Sequence, residues 1–162
     1  MLRRAIFEMD GPVAVRYPRG CDGTFMTAAR QPLLRPGKDI TLVGYGALIE
    51  NLLAAAALLE QQGVSAEVIK LDSVKPIDME AVRTSVRKTR RLLVAEEAVC
   101  IGCAGKEIAA RLRTSGIVVP TRLINLGDRF VPHGSVGQLR QMLGLDAKSL
   151  ALAAQEVVSG GK

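Results

Sequence analysis

A strand, a turn and a helix compressed into residues 91–112 constrain this chain more than any other stretch. Leu92, Leu93, Val94 and Ala95 form an unbroken apolar run, the pattern of a strand covered on both faces. Glu96 and Glu97 follow where such a strand ends, and Gly102 and Gly105 bracket a tight turn. From Lys106 the chain resumes at helical spacing, with Ile108 and Leu112 on one face. A parallel sheet carries its ligand sites outside the carboxyl ends of its strands, so chemistry is expected at the Glu96 corner.

The remainder reads as βα units laid beside this one. Apolar strand patterns cover residues 39–45, 65–71 and 120–126. Helical patterns cover 47–62, which Gly63 stops, and 79–89, which Asp78 caps. Ser135 caps a helix over 136–143, and Asp146 caps another running to about residue 158. A further strand is expected over 13–17, closed by Pro18-Arg19-Gly20; residues 21–38 make a connecting excursion with room for a short strand. Residues 1–9 have helical spacing but no cap at their start. Tryptophan is absent and aromatics are 3%, so the core must be built from Leu, Val, Ile and Ala, which suits a parallel sheet under small-residue helices. The expectation is an α/β fold: a doubly wound, mostly parallel sheet of about five strands with helices on both faces.

Charge excludes little and suggests less. The net charge of +6 is spread over most segments, and the aromatic stacking platforms of a nucleic-acid binder are missing. The densest basic run, residues 87–91, falls at a predicted helix end, where cations offset the helix dipole. The most apolar segment, residues 47–63, contains Glu50, Asn51 and Glu60 and is too short to span a bilayer. Three cysteines and no N-terminal apolar leader make the cytoplasm the expected compartment.

Four motifs bear on function. Cys100-Ile101-Gly102-Cys103 has the spacing of a redox dithiol, but Glu96 and Glu97 beside it disfavour a thiolate, and it reads as two small residues in a turn. Zinc would need further ligands, for which Cys21 and His133 are the remaining candidates. Gly44-Tyr45-Gly46 resembles half of a dinucleotide fingerprint, but Ile49 stands where the third glycine belongs and Asp72 comes late for the ribose. Arg16 and Arg19 flank Tyr17-Pro18 at a strand end: Arg19 can clamp a phosphate by two parallel hydrogen bonds, or stand in solvent or against an acid. His133 sits in a loop with no marked Ser or Cys partner, and Glu96-Glu97 can hold a carboxylate of raised pKa or cap the adjacent turn.

Asp10-Gly-Pro-Val-Ala-Val-Arg-Tyr-Pro-Arg-Gly20 resembles the start of the C-terminal domain of the deoxyxylulose phosphate synthases, thiamin-diphosphate enzymes of the transketolase superfamily. The likeness continues through Val43-Gly-Tyr-Gly46, Val74-Lys-Pro-Ile-Asp78, Val94-Ala-Glu-Glu-Ala98 and Gly102-Cys-Ala-Gly105. It ends with Asn125-Leu-Gly-Asp-Arg-Phe-Val-Pro-His-Gly134 and Leu143-Gly-Leu-Asp146. The resemblance implies a transketolase C-terminal-like domain over residues 12–162, with 1–11 the end of a preceding pyrimidine-binding domain. It implies a whole enzyme that condenses pyruvate with glyceraldehyde 3-phosphate, losing carbon dioxide. Thiamin diphosphate and magnesium would be held by earlier domains of the same or a partner chain, and no cofactor, metal or catalytic residue by this one. A domain separated from such neighbours exposes apolar surface they would cover, so a homodimer or weaker self-association is expected, with no nucleic-acid or membrane partner. Arg19 matches the family's substrate-phosphate arginine; Arg16, Glu96, Glu97 and His133 fall at the rim of such a site. The family's glycine-rich turn is altered here by Cys100 and Cys103. The C-terminal domain of another thiamin enzyme (a transketolase or a 2-oxoacid dehydrogenase β-type subunit) and a non-catalytic assembly or anion-binding module are the alternatives.

Overall fold

The structure, a computed structural model, describes residues 2–17 and 31–160. Its element order is α1 (Leu2–Phe7), β1 (Leu33–Arg35), β2 (Ile40–Gly44), α2 (Leu48–Gln61), β3 (Ala66–Lys70), α3 (Met79–Thr89) and β4 (Leu92–Ala95). It continues with α4 (Ala104–Thr114), β5 (Thr121–Ile124), α5 (Val136–Met142) and α6 (Ala147–Ser159). The strands form one sheet in the order β1-β3-β2-β4-β5. All neighbours are parallel except β1, which runs antiparallel to β3 at the edge. The expected α/β architecture is therefore present, with five strands.

The period of two along each strand divides the core between the two faces. Ile40, Leu42, Ala66, Val68, Leu93 and Ala95 point toward α2 and α6; Val43, Ile69, Leu92 and Val94 point toward α3 and α4. Central strands β2 and β4 are buried at every position, which is why they read as continuous apolar runs rather than alternations. In α2, Leu48, Leu52, Ala55, Ala56 and Leu59 recur at helical spacing and are wholly buried. Burial of each such leucine contributes about 1.5–3 kcal/mol. Asn51 on the same helix donates to the Leu145 carbonyl at 2.7 Å, tying α2 to the turn before α6.

Helix ends follow the sequence signals. Asp78 accepts from the Glu80 and Ala81 amides, Asp146 from Lys148 and Ser149, and Ser135 shares a capping box with Gln138. Gly63 ends α2 with a φ of 79°.

Three expectations are corrected. Residues 13–17 form no strand, so Arg16 is not a strand residue. Pro12 and Pro18 bound the segment and Val13 is exposed, leaving it neither ladder donors at its ends nor a face to bury. The edge position belongs to β1, inside the excursion, where Leu33 faces Ile69 and Arg35 faces Val68. Helix α4 starts at Ala104, so Gly105 lies in its first turn rather than closing the bend before it.

The third correction concerns polar groups. Glu67, a polar position between Ala66 and Val68 in β3, is 2% exposed. It accepts from the Gly37 amide at 3.0 Å and from Lys88, so the helix-end basic run is not wholly solvated. Beside it Thr41 Oγ1 meets Ser85 Oγ and Thr89 Oγ1, each at 2.6 Å, under α3. Every member of the cluster has a partner, as burial requires. Burial works to raise the Glu67 carboxyl, but hydrogen bonds from Lys88, Ser85 and Gly37 outweigh it and hold it below the ordinary range.

Candidate functional site

Strand order defines where a ligand crevice can lie. From β2 the chain moves through α2 outward to β3, then returns through α3 to β4 on the opposite side. The connections diverge between the carboxyl ends of β2 and β4, the topological switch point of an open α/β sheet. Tyr45 follows β2 and Glu96 follows β4. Across the switch point the Tyr45 hydroxyl donates to Glu96 Oε2 at 3.1 Å.

Glu96 is 1% exposed. Its Oε2 also accepts from the Ala104 amide at 3.0 Å and its Oε1 from the Gly105 amide at 2.8 Å. These are orphan donors at the start of α4, and the carboxylate meets the positive end of the helix dipole as well. Cys103, the N-cap residue immediately before α4, makes no side-chain cap of its own. Capping is instead supplied by the neighbouring strand end, and Gly105 makes room for it. A Cβ there would stand 2.8 Å from Glu96 Oε1 and 3.1 Å from Leu123 Cδ2. Gly44 has a parallel reason: its Cβ would stand 2.5 Å from Leu52 Cδ1.

The groups around Glu96 feel its charge. Burial, the Glu96 charge and the hydrogen bond to it push the Tyr45 hydroxyl up to about 12, while Arg16 pulls the other way. Arg16 is exposed, on the unpaired segment, within electrostatic reach of Tyr45. Burial also raises the Cys103 thiol; Glu96 adds to this, and the Lys106 and Gly105 amides oppose it. Cys103 is therefore disfavoured as an attacking thiolate.

Of the residues singled out by sequence, Glu96 is the buried cap just described. Glu97 points away from it and pairs with Arg140 of α5, Nε to Oε1 at 2.8 Å, with both side chains partly exposed. His133 is exposed in the loop between β5 and α5. That loop leaves the carboxyl end of β5, so it opens on the same edge of the sheet as Tyr45 and Glu96. Arg19 and Cys21 lie outside the described residues. Sequence reasoning weighed Tyr45 only as the middle of a dinucleotide fingerprint and passed over Arg140. The signal for Tyr45 was available: a hydroxyl directly after one central strand, opposite an acid directly after the other.

Thiamin diphosphate and magnesium, which the resemblance assigns to the whole enzyme, do not fit this corner. A diphosphate brought to α4 would meet a carboxylate already holding the Ala104 and Gly105 amides. No group of three or more His, Cys, Asp or Glu side chains able to hold a metal occurs among the described residues. Nor is any helix among them long and apolar enough to cross a membrane.

Comparison with known proteins identifies the family. The 1-deoxy-D-xylulose-5-phosphate synthases of Heliobacterium modesticaldum, Thermomicrobium roseum and Gloeobacter violaceus are 38%, 34% and 35% identical to the chain, over 100%, 93% and 98% of its length. The matched part is 26%, 25% and 26% of those proteins, so the chain spans about a quarter of the curated relatives it matches. A solved structure described as a split gene transketolase, an inactive β4 tetramer, aligns with a TM-score of 0.69 and 33% identity over 80% of this chain and 42% of that one. The family described as transketolase, C-terminal domain, matches residues 30–150. By that match, and by the sheet order that accompanies it, the chain belongs to the transketolase C-terminal domain family.

Proposed function

We propose that this chain serves as the C-terminal domain of a thiamin-diphosphate-dependent 1-deoxy-D-xylulose-5-phosphate synthase, acting in the cytoplasm on pyruvate and glyceraldehyde 3-phosphate. The observation that carries the reading is the near-complete coverage of the chain by synthases of that name from different organisms. In this reading the cofactor and magnesium, bound on other domains, supply the carbanion chemistry. This domain contributes assembly and a hold on the aldehyde's phosphate. The carboxylate-filled start of α4 supports a non-cofactor role for the switch point.

Arg19 is the proposed phosphate ligand, with Arg16, Glu97 and His133 at the rim. Residues 1–11 are proposed to pack with a neighbouring domain, since α1 buries none of its residues and leaves Leu2, Ile6 and Phe7 largely exposed. A homodimer is the proposed assembly, formed through surfaces shared with those domains.

The test is steady-state kinetics on the full-length or reassembled enzyme with each substrate varied. Arg19→Ala should raise the KM for glyceraldehyde 3-phosphate roughly thirty- to a thousand-fold, the worth of a charge-assisted bidentate pair, and spare pyruvate. Arg19→Lys should recover part of the loss, because an ammonium cannot reproduce the fork. A change within about twofold for Arg19→Ala, with a large one for Arg16→Ala, would move the phosphate to Arg16. Absence of synthesis from pyruvate and glyceraldehyde 3-phosphate, with ketose–aldose exchange in its place, would favour a transketolase instead, the reading suggested by the solved structural neighbour.

A further inference from the structure

We propose that Cys100 and Cys103 are a reversible dithiol–disulfide pair, a modification site at the corner between β4 and α4. The two residues are the first and last of a β-turn whose central residues are Ile101 and Gly102. Gly102 has a φ of 69°, the conformation that the third residue of a type II turn requires. A β-turn holds its end Cα atoms within about 7 Å. Disulfides span roughly 4.4–6.8 Å between Cα atoms, so the turn already brings the backbone to bridging distance.

Both ends of the turn are fastened. The Cys100 amide donates to the Gly127 carbonyl at 3.1 Å, and the Leu126 amide donates to Ala98 at 2.9 Å. At the other end Cys103 is the N-cap residue immediately before α4. The turn therefore keeps its ends close instead of sampling open forms. Access differs between the two sulfurs. Cys100 is half-buried beside an Ile101 that is 66% exposed, whereas Cys103 is 4% exposed and faces Glu96 and the Asn125 side chain.

That difference sets the order of steps. A low-molecular-weight disulfide, RSSR, meets the thiolate of Cys100 first; a Cys100–SR bond forms, the S–S bond of the reagent breaks, and RS⁻ leaves. Cys103 then gives up its proton to solvent and attacks the Cys100 sulfur, expelling the second RS⁻. Two protein thiols are oxidised by two electrons and RSSR is reduced to two RSH. Its burial makes Cys103 the resolving sulfur rather than the attacking one, and its raised thiol acts in the same direction. Closure removes the Cys103 thiol as a neighbour that donates to Glu96, so the bond reaches the switch point directly.

The full chain is oxidised with glutathione disulfide, quenched in acid, alkylated with N-ethylmaleimide and digested with trypsin. Residues 92–106 form one tryptic peptide that holds both cysteines, while Cys21 falls in another. The expected product is the 92–106 peptide lighter by two hydrogens, unalkylated, and restored to a double maleimide adduct by dithiothreitol. Cys103→Ser should stop at a glutathione adduct on Cys100, and Cys21→Ser should leave closure intact. A 92–106 peptide that stays doubly alkylated under excess oxidant, or that is recovered linked to the Cys21 peptide, overturns the proposal. Retention of the glutathione adduct in the unsubstituted chain overturns it as well, because Cys103 then does not resolve.

Discussion

Replacing Glu96 tests whether its carboxylate is a structural cap or a free acid at the site. In Glu96→Ala four donors lose their acceptor at once: the amides of Ala104 and Gly105, the Tyr45 hydroxyl and, more weakly, the Cys103 thiol. An unsatisfied buried donor costs about 1–3 kcal/mol, and loss of a helix cap about 1 kcal/mol. Water can enter the space left by the side chain and relieve part of this, so the net expectation is a loss of about 3–5 kcal/mol. Glu96→Gln keeps one acceptor oxygen but turns an NH₂ toward a second donor, and should lose about 2 kcal/mol. The assay is urea unfolding of the full chain with the slope held constant between variants. Tyr45→Phe supplies the cycle: it should cost about 1 kcal/mol alone and almost nothing on the Glu96→Ala background. A Glu96→Ala loss below about 1 kcal/mol, or equal costs for Tyr45→Phe on both backgrounds, would refute the cap and leave Glu96 free for chemistry.

Gly105→Ala should destabilise the chain by about 1–3 kcal/mol, because the new Cβ displaces Glu96 Oε1 and presses on Leu123 in a packed interior. A chain that unfolds at the unsubstituted midpoint in urea would show that the cap has slack. The Glu67 carboxyl is held below its ordinary value of 4.5, so its contribution to stability is complete above that pH and is lost as the pH falls through the depressed value. Lys88→Met removes the strongest of the opposing hydrogen bonds and leaves those from Ser85 and Gly37, so the Glu67 carboxyl moves up from its depressed value. Unfolding midpoints followed from neutral to acid pH should then show a smaller acid loss than in the unsubstituted chain. An unchanged acid limb would place the titration elsewhere.

Much of the fold was legible because its signals are local and reinforce one another. Leu92–Ala95 has no polar position because helices cover both faces, and the caps at Asp78, Ser135 and Asp146 are short-range devices visible in a few residues. Errors arose where a partner far along the chain decides the outcome. Val13-Ala14-Val15 carries β-propensity, yet no strand receives it, while Leu33–Arg35 becomes a strand because β3 offers an edge. Glu67 looks like a solvent-facing acid until Lys88, twenty-one residues later, and Gly37, thirty earlier, fold onto it. At the site, adjacency misled in the same manner. Glu96 and Glu97 look like a pair, but one turns inward to α4 and the other outward to Arg140 of α5. Arg19 was singled out by motif alone and lies outside the described residues.

The geometry of Glu96 also says where binding groups can come from in this family member. A helix N-terminus at a switch point is the ordinary anion seat of an open α/β sheet, and here the protein's own carboxylate takes it. An anionic substrate approaching the carboxyl edge therefore gains nothing from α4 and meets a buried negative charge. Cations must be brought by segments that reach over that edge. Arg16 already lies within electrostatic reach of Tyr45. A site assembled this way would use the sheet as a platform and take its selectivity from what is laid across it.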